Sequence, residues 1–151
     1  MARLAIASDH AAVALKAELA AWAREAGHEV LDLGPADGTS VDYPDYGYRL
    51  AGAVADGRAE LGVALCGSGI GISIAVNRVA DCRCALVSEP LSAALARSHN
   101  DANVLAMGVR TIGPDMARAC LEAFLRTPFE GGRHARRVAK LTHPTPKEEP
   151  A

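Results

Sequence analysis

Apolar residues along the chain fall into short unbroken runs, and behind each run comes a longer stretch in which apolar and polar positions follow a helical period. RLAIAS at residues 3–8 is the first run; polar Asp9 and His10 follow, then AAVALKAELAAWAREAG, an Ala-rich amphipathic segment that stops at Gly27. That pattern reads as strand, turn, helix. HEVLDLG at 28–34 repeats the strand signal, and the turn formers of PADGTSVDYPDYG lead into a helix over roughly residues 44–57. AELGVALCG is a third run, ending at Cys66, with a helix expected over residues 68–79. RCALVS is the fourth, followed by a helix through PLSAALARSHN whose Pro90 suits a first turn, and ANVLAMG is the fifth, followed by GPDMARACLEAFLRT. Strands that are continuously apolar are buried on both faces, and their alternation with helices implies βαβ units and a parallel sheet. The fold class is therefore doubly wound α/β: a Rossmann-like three-layer α/β/α arrangement with a five-stranded parallel sheet, plus a short basic helix in FEGGRHARRVAKL near the C-terminus.

The chain has 151 residues, half of them apolar, which suits one domain, assigned to residues 1–141. THPTPKEEPA at 142–151, with three prolines and mixed charge, reads as a disordered tail. No uncharged apolar run approaches membrane-spanning length and MARLAIASDHA lacks a signal-peptide core, so a soluble cytoplasmic protein with no membrane partner is expected. The net charge of −2 and low aromatic content argue against a nucleic-acid surface, which needs a positive field and stacking platforms. Cys66, Cys82, Cys84 and Cys120 lack the dense spacing of a disulfide framework and read as reduced thiols. Cys82 and Cys84 have no second pair to complete a zinc site, and no metal is expected.

In doubly wound sheets, ligands bind outside the carboxyl ends of the strands. That rim collects Asp9 and His10, the segment from Cys66 to Gly71, Ser88 and Glu89, and the loop after Met107. The stretch CGSGIG opens a helix, so its amides point outward unpaired and suit an oxyanion. The spacing of Gly67, Gly69 and Gly71 is neither a dinucleotide fingerprint nor a Walker loop, so no nucleotide cofactor is implied. Cys66, one residue before the turn, sits where a helix terminus favours thiolate, as a nucleophile or as a base; a buried packing role is the alternative. Ala64 stands where a nucleophile elbow requires Gly, which counts against a hydrolase. Asp9 is a tautomer-fixing partner for His10 or a helix cap. His99, at the end of the fourth helix, is a candidate proton donor or a capping residue. Arg133 and Arg137, four apart, place two guanidinium forks on one helical face, and Arg110 adds a third cation. This set suits proton transfer beside a carbonyl in a small phosphorylated substrate.

The blocks IASDHA, DYPDY, LCGSGIGISIAVN, SEPLSA, SHNDANVLAMGVR and FEGGRH, taken in order, resemble the B-type ribose-5-phosphate isomerases and the related subunits of galactose-6-phosphate isomerase. The resemblance covers nearly the whole chain. It implies an aldose–ketose isomerase that interconverts ribose 5-phosphate and ribulose 5-phosphate through a cis-enediol, with no cofactor and no metal. It also implies Cys66 as the base between C2 and C1, and the amides of Gly67, Ser68, Gly69, Ile70 and Gly71 as the enediolate hole. His99 becomes the ring-opening acid with Asp9 assisting, Asn100 binds sugar hydroxyls, and His10, Arg110, Arg133 and Arg137 grip chiefly the phosphate. Ser68 is counted among the catalytic groups and keeps the hydroxyl of the Thr found in many members. One branch of the family lacks this cysteine and has Glu where Ile72 stands, which leaves Cys66 as the base here. The family forms homodimers and homotetramers with sites between subunits, and the same is expected of this chain. Two alternatives stay open at this point: a six-carbon substrate such as allose 6-phosphate or galactose 6-phosphate, and a non-catalytic subunit that only binds sugar phosphate.

Overall fold

The computed structural model describes residues 1–146. Its elements are β1 (Arg3–Ser8), a 3-10 turn (His10–Ala12), α1 (Val13–Glu25), β2 (Glu29–Asp32), α2 (Tyr43–Ala55), β3 (Leu61–Cys66), α3 (Ile70–Val76), β4 (Cys84–Leu86), α4 (Pro90–Asn100), β5 (Val104–Gly108), α5 (Pro114–Arg126) and α6 (Arg133–Thr142). The five strands pair in parallel in the order β2-β1-β3-β5-β4, which places β3 at the centre and leaves β4 on an edge. Helices cover both faces, as the continuous apolar runs required.

The two faces differ in side-chain size. Leu4, Ile6, Val63, Leu65, Leu105 and Met107 point to one face and pack with α1, α4 and α5, where Phe124 is the largest fully buried side chain. Ala5, Ala7, Ala64, Cys66 and Ala106 alternate to the other face, under α2 and α3. Small residues on this face let α2 and α3 lie close to the sheet: a Cβ on Gly62 would meet Leu50 of α2 at 3.2 Å. Cys66 therefore ends the central strand on the tightly packed face, beside Ile72 and Val76 of α3.

Several boundaries differ from expectation. Helix α3 covers seven residues rather than 68–79. Gly69 adopts φ 77°, so the helix starts only at Ile70, and at its far end the Asn77 amide pairs with the Cys84 backbone in both directions, at 2.8 and 2.9 Å. Before α1, Asp9 caps the 3-10 turn by accepting from the Ala11 N–H at 3.0 Å. Helix α6 includes Thr142, the first residue of the expected tail, and residues 147–151 lie outside the described residues. No helix among the described residues is long and apolar enough to cross a membrane.

Candidate active site

A cavity of about 340 Å³ opens at the carboxyl end of the sheet, lined by Asp9, His10, Ala11, Tyr43, Cys66, Gly67, Ser68, Gly71 and Arg110. Three loops build it. The loop after β3 is tied to the loop after β5: Val109 N–H donates to the Cys66 carbonyl at 3.0 Å and Arg110 N–H to the Gly67 carbonyl at 2.9 Å. These bonds bring the Arg110 side chain over Gly67, where a Cβ would lie 3.1 Å from its Nη1. The loop after β1 supplies Asp9 and His10, and Val41 N–H donates to His10 Nδ1 at 3.1 Å, pinning the segment before α2 beside the cavity. The start of that helix supplies Tyr43, whose ring lies against Gly71.

Cys66 is only 4% exposed, yet its sulfur borders this cavity and accepts a hydrogen bond from the Gly69 N–H at 3.1 Å. The left-handed Gly69 turns that amide back onto the sulfur. Ser68 Oγ accepts from the Ile70 N–H at 3.2 Å, while the Ser68, Gly71 and Ile72 amides have no acceptor among the described residues. Free donors beside a sulfur and a hydroxyl can hold an oxyanion that develops next to a carbon acid.

His99, Asn100, Arg133 and Arg137 lie elsewhere. In a parallel sheet the crossover helices run against the strands, so α4 ends at the amino rim while Cys66 ends at the carboxyl rim. The register shows the span: Gly62 pairs with Val104, just after α4, and Cys66 pairs with Gly108. Four residues of strand amount to about 13 Å. Helix α6 joins His99 at the amino rim, where Glu130 N–H donates to the Ser98 carbonyl at 3.1 Å and the His134 ring stacks on His99. Arg133 and Arg137 are exposed, and neither pairs with a carboxylate among the described residues. One chain thus carries two half-sets: Asp9, His10, Cys66, Gly67, Ser68, Gly71 and Arg110 at one rim, and His99, Asn100, Arg133 and Arg137 at the other.

A sequence model of the family described as Ribose/Galactose Isomerase matches residues 4–141. The chain belongs to that family. Ribose-5-phosphate isomerase B of Escherichia coli is 44% identical to it over 94% of this chain and 95% of that one. A putative sugar phosphate isomerase of Bacillus subtilis, YwlF, is 45% identical over 93% of this chain and 95% of its own. The solved structure of ribose-5-phosphate isomerase B from Clostridium thermocellum superposes with a TM-score of 0.91 at 44% identity, covering 93% of this chain and 95% of that one. The protein is an isomerase, which removes the non-catalytic alternative, and its three-layer fold is that of these relatives.

Within this isomerase, Tyr43 lines the cavity and Glu130 and His134 surround His99, and sequence reasoning singled out none of the three. His99, Glu130 and His134 are side chains of metal-ligand type, with ligand atoms within 4.8 Å of one another. The two imidazoles are stacked at 12° with their centroids 4.4 Å apart, however, so their in-plane lone pairs lie in nearly parallel, separate planes and do not converge on one ion. Ile72 is fully buried against α2 and is no part of the cavity wall. The remaining thiols are packing groups: burial pushes Cys82 and Cys120 up to about 11 and Cys84 up to about 12.

Proposed function

We propose that the isomerase interconverts ribose 5-phosphate and ribulose 5-phosphate, and that it does so as a dimer in which the carboxyl rim of one chain meets the amino rim of the other. The observation that carries this reading is the Cys66 sulfur on the wall of a cavity ringed by backbone amides, a carboxylate, an imidazole and a guanidinium. Relatives that bear the ribose-5-phosphate isomerase name support the substrate. Ring opening comes first: His99 of the second chain protonates the ring oxygen, Asp9 draws the proton from the C1 hydroxyl, and the C1–O4 bond breaks as the aldehyde forms. The Cys66 thiolate then removes the C2 proton, leaving a cis-enediolate whose oxygen rests on the loop amides. Ser68 moves the hydroxyl proton between O2 and O1, and Cys66 returns its proton to C1. Asn100 holds sugar hydroxyls while His10, Arg110, Arg133 and Arg137 hold the phosphate, the arginines by forked hydrogen bonds.

Two features support the dimer. The acid and base lie at opposite rims of one chain, so a single copy is incomplete. In addition, Ile70 and Ile74 of α3, Leu86 on the edge strand and Leu91 and Leu95 of α4 are 40–67% exposed, an apolar set that a second copy would cover. The direct test replaces Cys66 with Ala and follows ribose 5-phosphate conversion. Turnover is expected to fall about 10²- to 10⁴-fold, the span of one proton-transfer group, and undiminished turnover rejects the assigned base. Comparing kcat/KM for five- and six-carbon phosphates tests the substrate separately.

A further inference from the structure

We propose that Glu130 and His134 are positioning residues for His99: His134 is the plate on which its ring rests, and Glu130 is the nearby negative charge that favours hydrogen on its Nε2. The proposal rests on the reading of His99 as the ring-opening acid.

His99 sits on the last turn of α4 with a side chain 40% exposed, and a free imidazole there would sample several rotamers. His134 is buried, 7% exposed, and its ring lies 4.4 Å from that of His99, centroid to centroid, at an interplanar angle of 12°. A fixed, nearly parallel plate of this kind restricts His99 to one ring plane. Across the edge of the stack lies one oxygen of Glu130, 3.4 Å from His134 Nε2 and 3.9 Å from His99 Nε2. Neither contact is a hydrogen bond, but a carboxylate charge this close attracts the positive end of an N–H dipole and so favours, in each ring, the tautomer that bears hydrogen on Nε2. Its backbone is fixed as well, since Glu130 N–H donates to the Ser98 carbonyl next door to His99. The FEGGRH turn thus delivers a plate and a negative charge to the end of α4, a task separate from that proposed for Arg133 and Arg137 on α6.

A ring-opening acid is needed only for a substrate with a ring. Ribose 5-phosphate closes through O4, whereas ribulose 5-phosphate, its O5 esterified, stays open and reaches the enediol without that acid. Two rates on one enzyme therefore separate positioning of His99 from general damage: conversion of ribose 5-phosphate, and uptake of solvent deuterium at C1 of ribulose 5-phosphate. For Glu130→Gln and His134→Asn, conversion is expected to fall about 10- to 100-fold, the cost of a misplaced group, while deuterium uptake stays within about twofold of wild type. Glu130→Asp, which keeps the negative charge, is expected to recover part of the loss. Glu130 is mostly exposed, so its variants carry the test even where His134→Asn fails to fold. Equal loss of both rates, or unchanged conversion, overturns the proposal. A wild-type protein that takes up deuterium but converts the ring form no faster than solvent overturns the His99 reading beneath it.

Discussion

The proposed two-chain site makes a quantitative prediction about mixtures of damaged enzymes. Cys66→Ala removes the base and His99→Asn the acid, and each change alone is expected to cost about 10²- to 10⁴-fold in conversion of ribose 5-phosphate. Within one chain the two groups are about a strand length apart, roughly 13 Å, against the roughly 3 Å over which a side chain passes a proton. No local rearrangement closes that gap, so in the proposed dimer each working site takes Cys66 from one chain and His99 from the other. When the variants are unfolded together and refolded at equal amounts, about half of the dimers are mixed, and each mixed dimer holds one intact site and one doubly damaged site. Turnover should therefore recover to about one quarter of wild type with an ordinary KM, and to about one half when the mixed dimer is isolated through two different affinity tags. A control mixture of Cys66→Ala with the Cys66→Ala/His99→Asn double variant contains no intact site and stays silent. Recovery no greater than the sum of the parents refutes the two-chain site.

Two other perturbations test the fold beneath the site. At Gly108 a Cβ would lie 2.4 Å from the Ser68 carbonyl carbon and oxygen, so Gly108→Ala forces the loop after β3 off the end of β5. The expected result is a loss of about 2 kcal/mol or more in urea unfolding, with kcat falling further than KM rises; an unchanged kcat removes the claim that β5 holds that loop. For pH, burial raises Cys82, Cys84 and Cys120 from 9.0 to about 11, 12 and 11, so the folded state holds protons that the unfolded chain releases. Stability from this source is present below pH 9 and lost as pH rises towards 12. Thermal melts should fall on that alkaline limb, and a Cys82→Ala/Cys84→Ala/Cys120→Ala variant should show a shallower fall.

The three central strands β1, β3 and β5 were legible because burial on both faces leaves no polar positions to interrupt them, while the edge strands β2 and β4 are shorter and partly exposed; all five apolar runs are strands, and the rim residues Asp9, His10 and Cys66 to Gly71 stand at strand ends where a parallel sheet presents them. Helix ends were less legible. The start of α3 depends on the left-handed Gly69, and its end depends on Asn77 finding the Cys84 backbone on another element, which no local pattern encodes. Tyr43, Glu130 and His134 escaped for the same reason. Each gains a role only through a neighbour far along the chain: Gly71 for Tyr43, His99 for the other two. Their one local trace is membership in the blocks DYPDY and FEGGRH.

The division of chemistry between the rims follows from the fold. Loops after parallel strands gather at one edge of the sheet, and there the chain places amides, a thiol and a hydroxyl. Helix ends gather at the other edge, and there it places an imidazole on the last turn of α4 and two guanidinium groups on α6 that pair with no carboxylate among the described residues. In the proposed mechanism neither half is chemically sufficient: the carboxyl rim supplies the base and the anion hole but not His99, and the amino rim supplies the acid and cations but no donor-lined cavity for an enediolate. A two-fold axis is the economical remedy. In the proposed dimer, setting the carboxyl rim of each copy against the amino rim of the other would complete both sites at once, and the exposed apolar residues of α3, β4 and α4 would be covered by the association. On this argument a variant that blocks association, such as Ile74→Glu on the exposed face of α3, should leave a folded chain with the Cys66 cavity intact but without turnover. A monomeric variant that still converts ribose 5-phosphate at the wild-type rate would show that one chain closes the gap by itself.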